Sequence, residues 1–288
     1  MDEQGLGKRL QAARQAAGLT QQQLCHQANL SFSTLTKIER GAIKSPSIFT
    51  IQSIAGALGL GLDELIGGQS TTIKQSQRQL QKTKSGVSFI YFDVNGCLVY
   101  FYQRAFAKLA SDTGVRSDIV ESAFWHYNDD VCRGTLSLSD FNHKLAERLS
   151  LEEKITEINW QKYYLETVEP ITQMQETLRW ASKRYKVGLL TNIMPGFLSS
   201  MRRSQQVPDI TYDAIVDSST VATIKPESRI YEIAQERASC PAEELLLIDD
   251  SRVNLVAAER LGWRVLWFDD SHPQESVDRV RQALEPAD

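Results

Sequence analysis

The sequence predicts two domains of different class: an all-α domain over residues 1–66 and an α/β domain with a parallel sheet over 87–288, joined by a linker over 67–86. Three observations predict this division. The first 66 residues place apolar side chains at helical spacing between capping residues. Residues 67–86, GGQSTTIKQSQRQLQKTKSG, open on two glycines, are rich in Gln, Ser and Thr, and hold four basic residues and no acid. From Val87 onward, short apolar runs ending on acids alternate with amphipathic helical stretches, the pattern of a doubly wound sheet.

A chain of 288 residues with 42% hydrophobic content is long enough for a core in each domain. No run approaches the roughly 18 apolar residues of a membrane span. The opening MDEQGLGKRL is too polar for a secretory signal, so the expectation is a cytoplasmic protein with no membrane partner. Cys25, Cys97, Cys132 and Cys240 form no C-x-x-C pair, which argues against a zinc site or a disulfide framework. The net charge of -4 is uneven: residues 1–86 hold 10 Lys/Arg against 5 Asp/Glu, and the remainder 22 against 31. A basic head on an acidic body fits a polyanion that meets only the head.

Leu6, Leu10, Ala13 and Ala17 recur at helical spacing, and Gly18 supplies a residue able to end that helix. Thr20 and Gln23 have the spacing of a capping box, starting a second helix that turns Leu24 and Ala28 inward. Ser31 caps a third helix with Leu35 and Ile38 on its buried side, ending near Gly41. Asn29 falls where the intervening turn needs a left-handed residue. Two capped helices around a tight turn make a helix-turn-helix. LTQQQLCHQANLSFSTLTKIERG, followed by PSIFTIQSIAGALGLGLDELI, resembles the lambda-repressor-like (Cro/XRE) DNA-binding family across its five-helix length. Asn29 in place of the usual Gly and a slightly longer GAIKSP connection are the departures.

The resemblance implies that the third helix enters the major groove of double-stranded DNA. Its outward residues Phe32, Ser33, Thr34 and Lys37 are then the base-facing candidates, Phe32 serving either a thymine methyl or local packing. Gln21, Arg40 and Lys44 are placed as phosphate clamps. One domain of this size has a narrow footprint, so a homodimer on two half-sites about 34–36 Å apart is expected. In the linker, Ile73 and Leu80 are too few to make a coiled coil.

In the second domain, VSFIYFD (87–93), KVGLLT (186–191), YDAIVDSS (212–219), ELLLIDD (244–250) and WRVLWFD (263–269) read as buried parallel strands. Ligand sites in such sheets lie beyond the carboxyl ends of the strands, where Asp93, Thr191 and the Asp249-Asp250 pair would converge. FDVNGCLV, LLTN, IKPESRIY and LLIDDSRVNLVAAERLGW, in this order, resemble the four motifs of the haloacid dehalogenase-like superfamily.

That resemblance implies a Rossmann-like fold, an aspartate nucleophile at Asp93, and Thr191 and Lys225 on the phosphoryl oxygens. It also implies Mg²⁺ held by Asp93, Asp249 and Asp250 with the backbone carbonyl of Asn95. The residue types suit the chemistry, because a carboxylate attacks phosphorus only when cations screen both partners. Residues from about 100 to 168, with Phe106, Leu109, Phe141 and Leu145 as core, sit where the superfamily inserts an α-helical cap. Trp125, His126, Tyr127 and Asn128 serve either the pocket or the packing.

Position 95 departs from the pattern. Phosphatases of the superfamily usually carry a second Asp there that moves protons to the leaving group and from water, which Asn95 cannot do, although some members without that Asp resemble working phosphatases. Three readings follow: a transcriptional regulator whose domain hydrolyses a small phosphorylated metabolite with Mg²⁺, a module that only binds such a ligand, and a switch that retains an aspartyl phosphate. A metabolic phosphatase with an accessory DNA anchor is the alternative of a different class.

Overall fold

The computed structural model describes residues 3–16, 19–28, 30–43, 45–58, 80–151 and 158–286. The chain divides into two compact units, Met1–Arg78 and Gln79–Asp288. Ala17, Gly18, Asn29, Lys44 and Ile73 lie outside the described residues, as do residues 59–66, where a fifth helix would follow. Among the described residues, no helix is long and apolar enough to cross a membrane.

In the first unit the capping signals become four helices: α1 (Glu3–Ala16), α2 (Gln21–Gln27), α3 (Phe32–Glu39) and α4 (Ile48–Leu58). At the start of α2 the reciprocal box is complete. Gln23 N donates to Thr20 Oγ1 (3.2 Å) and Thr20 N donates to Gln23 Oε1 (2.8 Å). Ser31 caps α3 through Thr34 N (3.1 Å), and Ser47 caps α4 through Thr50 N (3.1 Å). Leu10, Leu24, Leu35, Ile38, Ile51 and Ile54 form the dry centre.

Beside that centre lies an ionic cluster that hydropathy could not show. Arg14 Nε donates to Glu39 Oε1 (2.7 Å) and Nη2 to Oε2 (3.2 Å), with both residues buried. Arg14 Nη1 also donates to the Leu19 carbonyl (2.7 Å), so one guanidinium ties α1, the entry to α2 and α3 together. Removing one partner of a buried pair leaves the other charge unpaired, at a cost of about 3–5 kcal/mol. Arg14→Ala is therefore expected to melt this unit at the temperature where the wild type is folded, seen as lost far-ultraviolet helix signal; an unchanged melt would show Glu39 to be solvated.

In the second unit five parallel strands form one sheet: β1 (Phe89–Phe92), β2 (Lys186–Thr191), β3 (Ala214–Asp217), β4 (Leu245–Asp249) and β5 (Arg264–Trp267), in the order β3-β2-β1-β4-β5. The inner strands β1, β2 and β4 read as nearly unbroken apolar runs because both faces are covered, whereas edge strand β5 is partly exposed. Ile90, Phe92, Val187, Leu189 and Ile248 pack into one layer, and Phe89, Tyr91, Leu190, Leu245 and Leu247 into the other, with Trp263 stacked on Tyr91. Central β1 pairs with β2 on one side and β4 on the other, which puts the switch in strand order at its carboxyl end.

Among the described residues, a helix, Thr172–Ala181, leads into β2, and the insertion after β1 holds four helices, α5 (Gln103–Thr113), α6 (Ser117–Cys132), α7 (Leu138–Arg148) and α8 (Trp160–Thr167). Their core is aromatic: Phe106, Phe124, Phe141 and Trp160 meet at ring distances of 4.7–5.8 Å, the range of favourable offset and edge contacts. The chain leaves the sheet domain and returns side by side. Tyr100 N donates to the Glu169 carbonyl and Ile171 N to the Leu98 carbonyl, each at 2.9 Å.

Within the stretch 67–86 expected as linker, the described residues from Gln81 onward are docked on the second unit. Gln81 N donates to the Arg184 carbonyl (2.8 Å), Lys84 N donates to the Glu285 carbonyl (2.9 Å), and Thr83, buried, bridges to Pro286. A polar composition hid this because the pairing is through backbone groups.

Candidate functional site

The first unit offers a face and the second a cluster. On α3, Phe32, Ser33 and Lys37 are exposed, with Arg40 exposed just beyond it. Phe32 is 51% exposed, high for an aromatic residue in so small a domain. Thr34 is half-buried and its hydroxyl is paired with Ser31 Oγ at 2.7 Å, so it serves the helix cap as well as the face. Gln21 differs from its expected place as a free clamp. Its amide nitrogen donates to Glu39 Oε2 (2.6 Å), because the buried carboxylate needs more donors than Arg14 supplies, and only its second N–H is left for an outside acceptor.

In the second unit, β1, β2 and β4 deliver Asp93, Thr191 and Asp249 to one end of the sheet. Asp93, just past β1, accepts from Val94 N on Oδ1 (2.7 Å) and lies 3.0 Å from Lys225 Nζ through Oδ2. Asp249, fully buried, accepts from Ser251 N (2.8 Å) and Asn254 Nδ2 (3.0 Å) on Oδ1, and its Oδ2 is 2.5 Å from Lys225 Nζ. Asp93, Asp249 and Asp250 each bring a carboxylate oxygen within 4.8 Å of the others. Thr191 Oγ1 is buried with no hydrogen-bond partner, an orphan that a ligand oxygen would satisfy.

Two residues of this site carried no assigned role in the sequence reading. Asn192 holds Lys225 by both ends of its amide: Nδ2 donates to the Lys225 carbonyl (2.8 Å), and Lys225 N donates to Oδ1 (2.7 Å). Asn254 orients Asp249 from the first turn of the helix Arg252–Arg260. Its signal is its spacing, five residues past Asp249.

Electrostatics follow from two buried carboxyls bonded to one ammonium, with the half-buried Asp250 carboxyl beside them. Burial pushes the Asp93 carboxyl up to about 6, with Lys225 pulling the other way and Asp249 adding to the rise. Burial, with Asp93 and Asp249 beside it, pushes Asp250 up to about 8. Burial works against the Lys225 ammonium, but Asp249 and Asp93 outweigh it and hold the group above the usual lysine range.

The donor set fits a hard divalent cation, which prefers carboxylate and carbonyl oxygens and would restore the missing positive charge. Mg²⁺ would be held by Asp93, Asp249 and Asp250. In the folded, metal-free domain the Asp250 and Asp93 carboxyls keep protons that an unfolded chain loses near pH 4. Stability on this account falls as pH rises from about 4 to 8. A bound divalent ion reverses that loss. At a hundredfold excess over its dissociation constant, Mg²⁺ is expected to add about 2.7 kcal/mol. In a domain of this size that is roughly 5–10 °C in Tm. At one fixed Mg²⁺ concentration the gain should be larger at pH 8 than at pH 6, because protons compete for the acids at the lower pH; an equal gain would place the ion away from these acids.

Asn95, 3% exposed, is held by the cap. Tyr164 of α8 donates its hydroxyl to Oδ1 (2.5 Å), and Nδ2 lies 3.3 Å from the Tyr102 hydroxyl and 3.5 Å from the Asn192 carbonyl. Of the cap residues left open by the sequence, Asn128 is buried, while Trp125 is 42% exposed and stacks on Phe101 at 5.6 Å.

A parallel sheet with an aspartate, a hydroxyl and paired acids at strand ends, a buried lysine between them, and a helical insertion after the first strand, defines a capped α/β hydrolase fold. Residues 119–268 match the haloacid dehalogenase-like hydrolase family, and the chain belongs to it. Residues 10–65 match the helix-turn-helix family of the Cro/XRE type.

Over 74 residues the chain is 42% identical to the immunity repressor protein of Bacillus phage phi105, a match covering 26% of this chain and half of that repressor's length. Solved structures share the fold. A hydrolase of this family from Porphyromonas gingivalis aligns with TM-score 0.55 and 20% identity, over 68% of this chain and 98% of that one. A family enzyme of Bacteroides thetaiotaomicron, as an aspartate-to-alanine variant with magnesium and inorganic phosphate, aligns with TM-score 0.53 and 18% identity over 64% and 95%. The L-2-haloacid dehalogenase of Xanthobacter autotrophicus, with chloropropionic acid covalently bound, aligns with TM-score 0.51 and 17% identity over 69% and 85%.

Proposed function

We propose that this protein is a cytoplasmic, homodimeric DNA-binding transcriptional regulator whose α/β domain uses Mg²⁺ and Asp93 to act on a small phosphorylated metabolite. The observation that carries the enzymatic half is the cluster itself: three carboxylates within 4.8 Å and a buried lysine bonded to two of them. A halide-displacing site has no need of a carboxylate trio that can hold a divalent ion, whereas phosphoryl transfer needs cationic screening of both partners. The relative bound to magnesium and inorganic phosphate lends support by analogy.

Each residue then has a chemical task. The Asp93 carboxylate attacks phosphorus; Lys225, positioned by Asn192, and the orphan Thr191 hydroxyl bind phosphoryl oxygens; Asn254 orients Asp249. Mg²⁺, when bound, neutralises charge on the transferring group. Release of p-nitrophenol from p-nitrophenyl phosphate tests this. It should require Mg²⁺, stop with a chelator, and be absent in Asp93→Asn; release that persists in that variant would remove Asp93 from the chemistry.

The regulatory half rests on the exposed face of α3, on the match of residues 10–65 to the helix-turn-helix family and on the likeness to a phage repressor over 74 residues. Lys37 is read as a base contact and Arg40 as a phosphate contact. In gel shifts at fixed salt, Lys37→Ala should cost about 1–3 kcal/mol on the preferred site, with relaxed specificity. Arg40→Ala should weaken all sequences alike and lower the salt slope by about one. Equal loss on every sequence from Lys37→Ala would move that residue to the phosphates.

A further inference from the structure

We infer that Asp93 is a lasting phosphoryl acceptor: supplied with an acyl phosphate, the domain stops at the aspartyl phosphate, so that the protein carries a covalent mark. The inference rests on the phosphoryl chemistry proposed above and concerns the fate of the transferred group.

Three observations carry it. First, position 95 holds an amide whose two ends have different partners. The oxygen takes the Tyr164 hydroxyl proton, while Nδ2 faces the Asn192 carbonyl, a group that can only accept. A carboxylate there would set oxygen against oxygen. The surroundings are thus built for an amide, which transfers no proton. Second, among the described residues the side chains bonded to Asp93, Asn95 and Asp249 are Lys225, Tyr102, Tyr164 and Asn254. None is an imidazole or a further carboxylate, and the lysine is already engaged by two acids. Third, Asp93 is 6% exposed and Asp249 and Thr191 are fully buried, so bulk water does not substitute for a fixed base.

The two half-reactions then differ. In the first, an Asp93 oxygen forms a bond to phosphorus, and the bond from phosphorus to the donor oxygen breaks, with its electron pair leaving on the donor. An alkoxide leaving group would need a proton that Asn95 cannot give, whereas the carboxylate released from an acyl phosphate needs none. In the second, water must attack phosphorus and lose a proton; Asn95 cannot take it, and Asp250, the remaining carboxylate of the cluster, is committed to the cation it would hold with Asp93 and Asp249. Positioned acid–base help is typically worth about 10²–10⁴-fold. The first step keeps its rate with an acyl phosphate and the second loses that factor.

The test uses the full chain, acetyl phosphate and Mg²⁺, followed by intact-protein mass spectrometry. One HPO₃ group per chain is expected in the wild type and none in Asp93→Asn. After removal of the donor, the mark should decay about 10²–10⁴-fold faster in Asn95→Asp. Equal decay in the two proteins overturns the inference. Should Asn95→Asp fail to fold, the wild type decides alone: Asp93-dependent release of many phosphates per chain from acetyl phosphate, with no mark retained, overturns it and leaves the proposed function standing. No mark, together with no p-nitrophenol release, overturns both.

Discussion

With methionine in place of Lys225, Mg²⁺-dependent release of p-nitrophenol is expected to fall by at least about 10³-fold, because the cation that screens nucleophile and phosphoryl oxygens is removed from a water-poor site. Lys225 Nζ is fully buried, 3.0 Å from Asp93 and 2.5 Å from Asp249. Methionine fills the volume without the charge, so the loss is electrostatic.

The same substitution reports on stability. It leaves two buried carboxylates with no ammonium, a situation that costs about 3–5 kcal/mol when both are ionised. The Asp93 carboxyl sits at about 6 with Lys225 present and must rise further without it. A folded-state value above the unfolded one means that stability drains away as pH climbs past the unfolded value. The Tm deficit of Lys225→Met should therefore be small at pH 5 and large at pH 8. All five tryptophans, Trp125, Trp160, Trp180, Trp263 and Trp267, lie in the α/β unit, so their fluorescence follows this transition and not that of the first unit. A deficit independent of pH would assign the effect to packing.

What could be read in the sequence, and what could not, divides by the range of the interaction. Thr20 with Gln23 and Ser31 with Thr34 are three residues apart, and their caps follow from local chemistry. The inner strands were legible because a sheet covered on both faces must be apolar at nearly every position, and each of the three that feed the site ends on a residue of quoted motif. Asn95 is different: its partner Tyr164 is 69 residues away, at the far end of the helical insertion. The oddity of an amide at position 95 was visible in the chain. That the cap is what holds it was not.

Gln21 shows the same limit. Its place at the start of α2 suggested a phosphate clamp, and the acceptor that draws it inward, Glu39, is 18 residues on. Thr83 and Pro286 pair across nearly the whole second unit, so composition alone marked that stretch as linker. Family likeness filled part of the gap for Asp93, Lys225 and the acid pair, but it assigned nothing to Asn192 or Asn254.

Gly96 is expected to be the most sensitive position for the metal. It has φ +82°, and a Cβ there would lie 2.3 Å from Asp250 Oδ2 and 2.5 Å from its Cγ. Gly96→Ala must therefore turn the Asp250 carboxyl away, besides paying roughly 1–2 kcal/mol for a left-handed alanine. Losing a ligand in this way should weaken Mg²⁺ binding by calorimetry at least about 10²-fold. The Mg²⁺-dependent rise in Tm should vanish with it. Asp250→Asn removes the same ligand with the opposite effect on the metal-free protein. It deletes a carboxyl that Asp93 and Asp249 crowd and that burial pushes up to about 8, so at pH 8 its metal-free Tm should rise while that of Gly96→Ala falls. The two variants thus agree on the ion and disagree on the empty site. If both lowered the metal-free Tm, crowding of the acids would not be what the ion relieves.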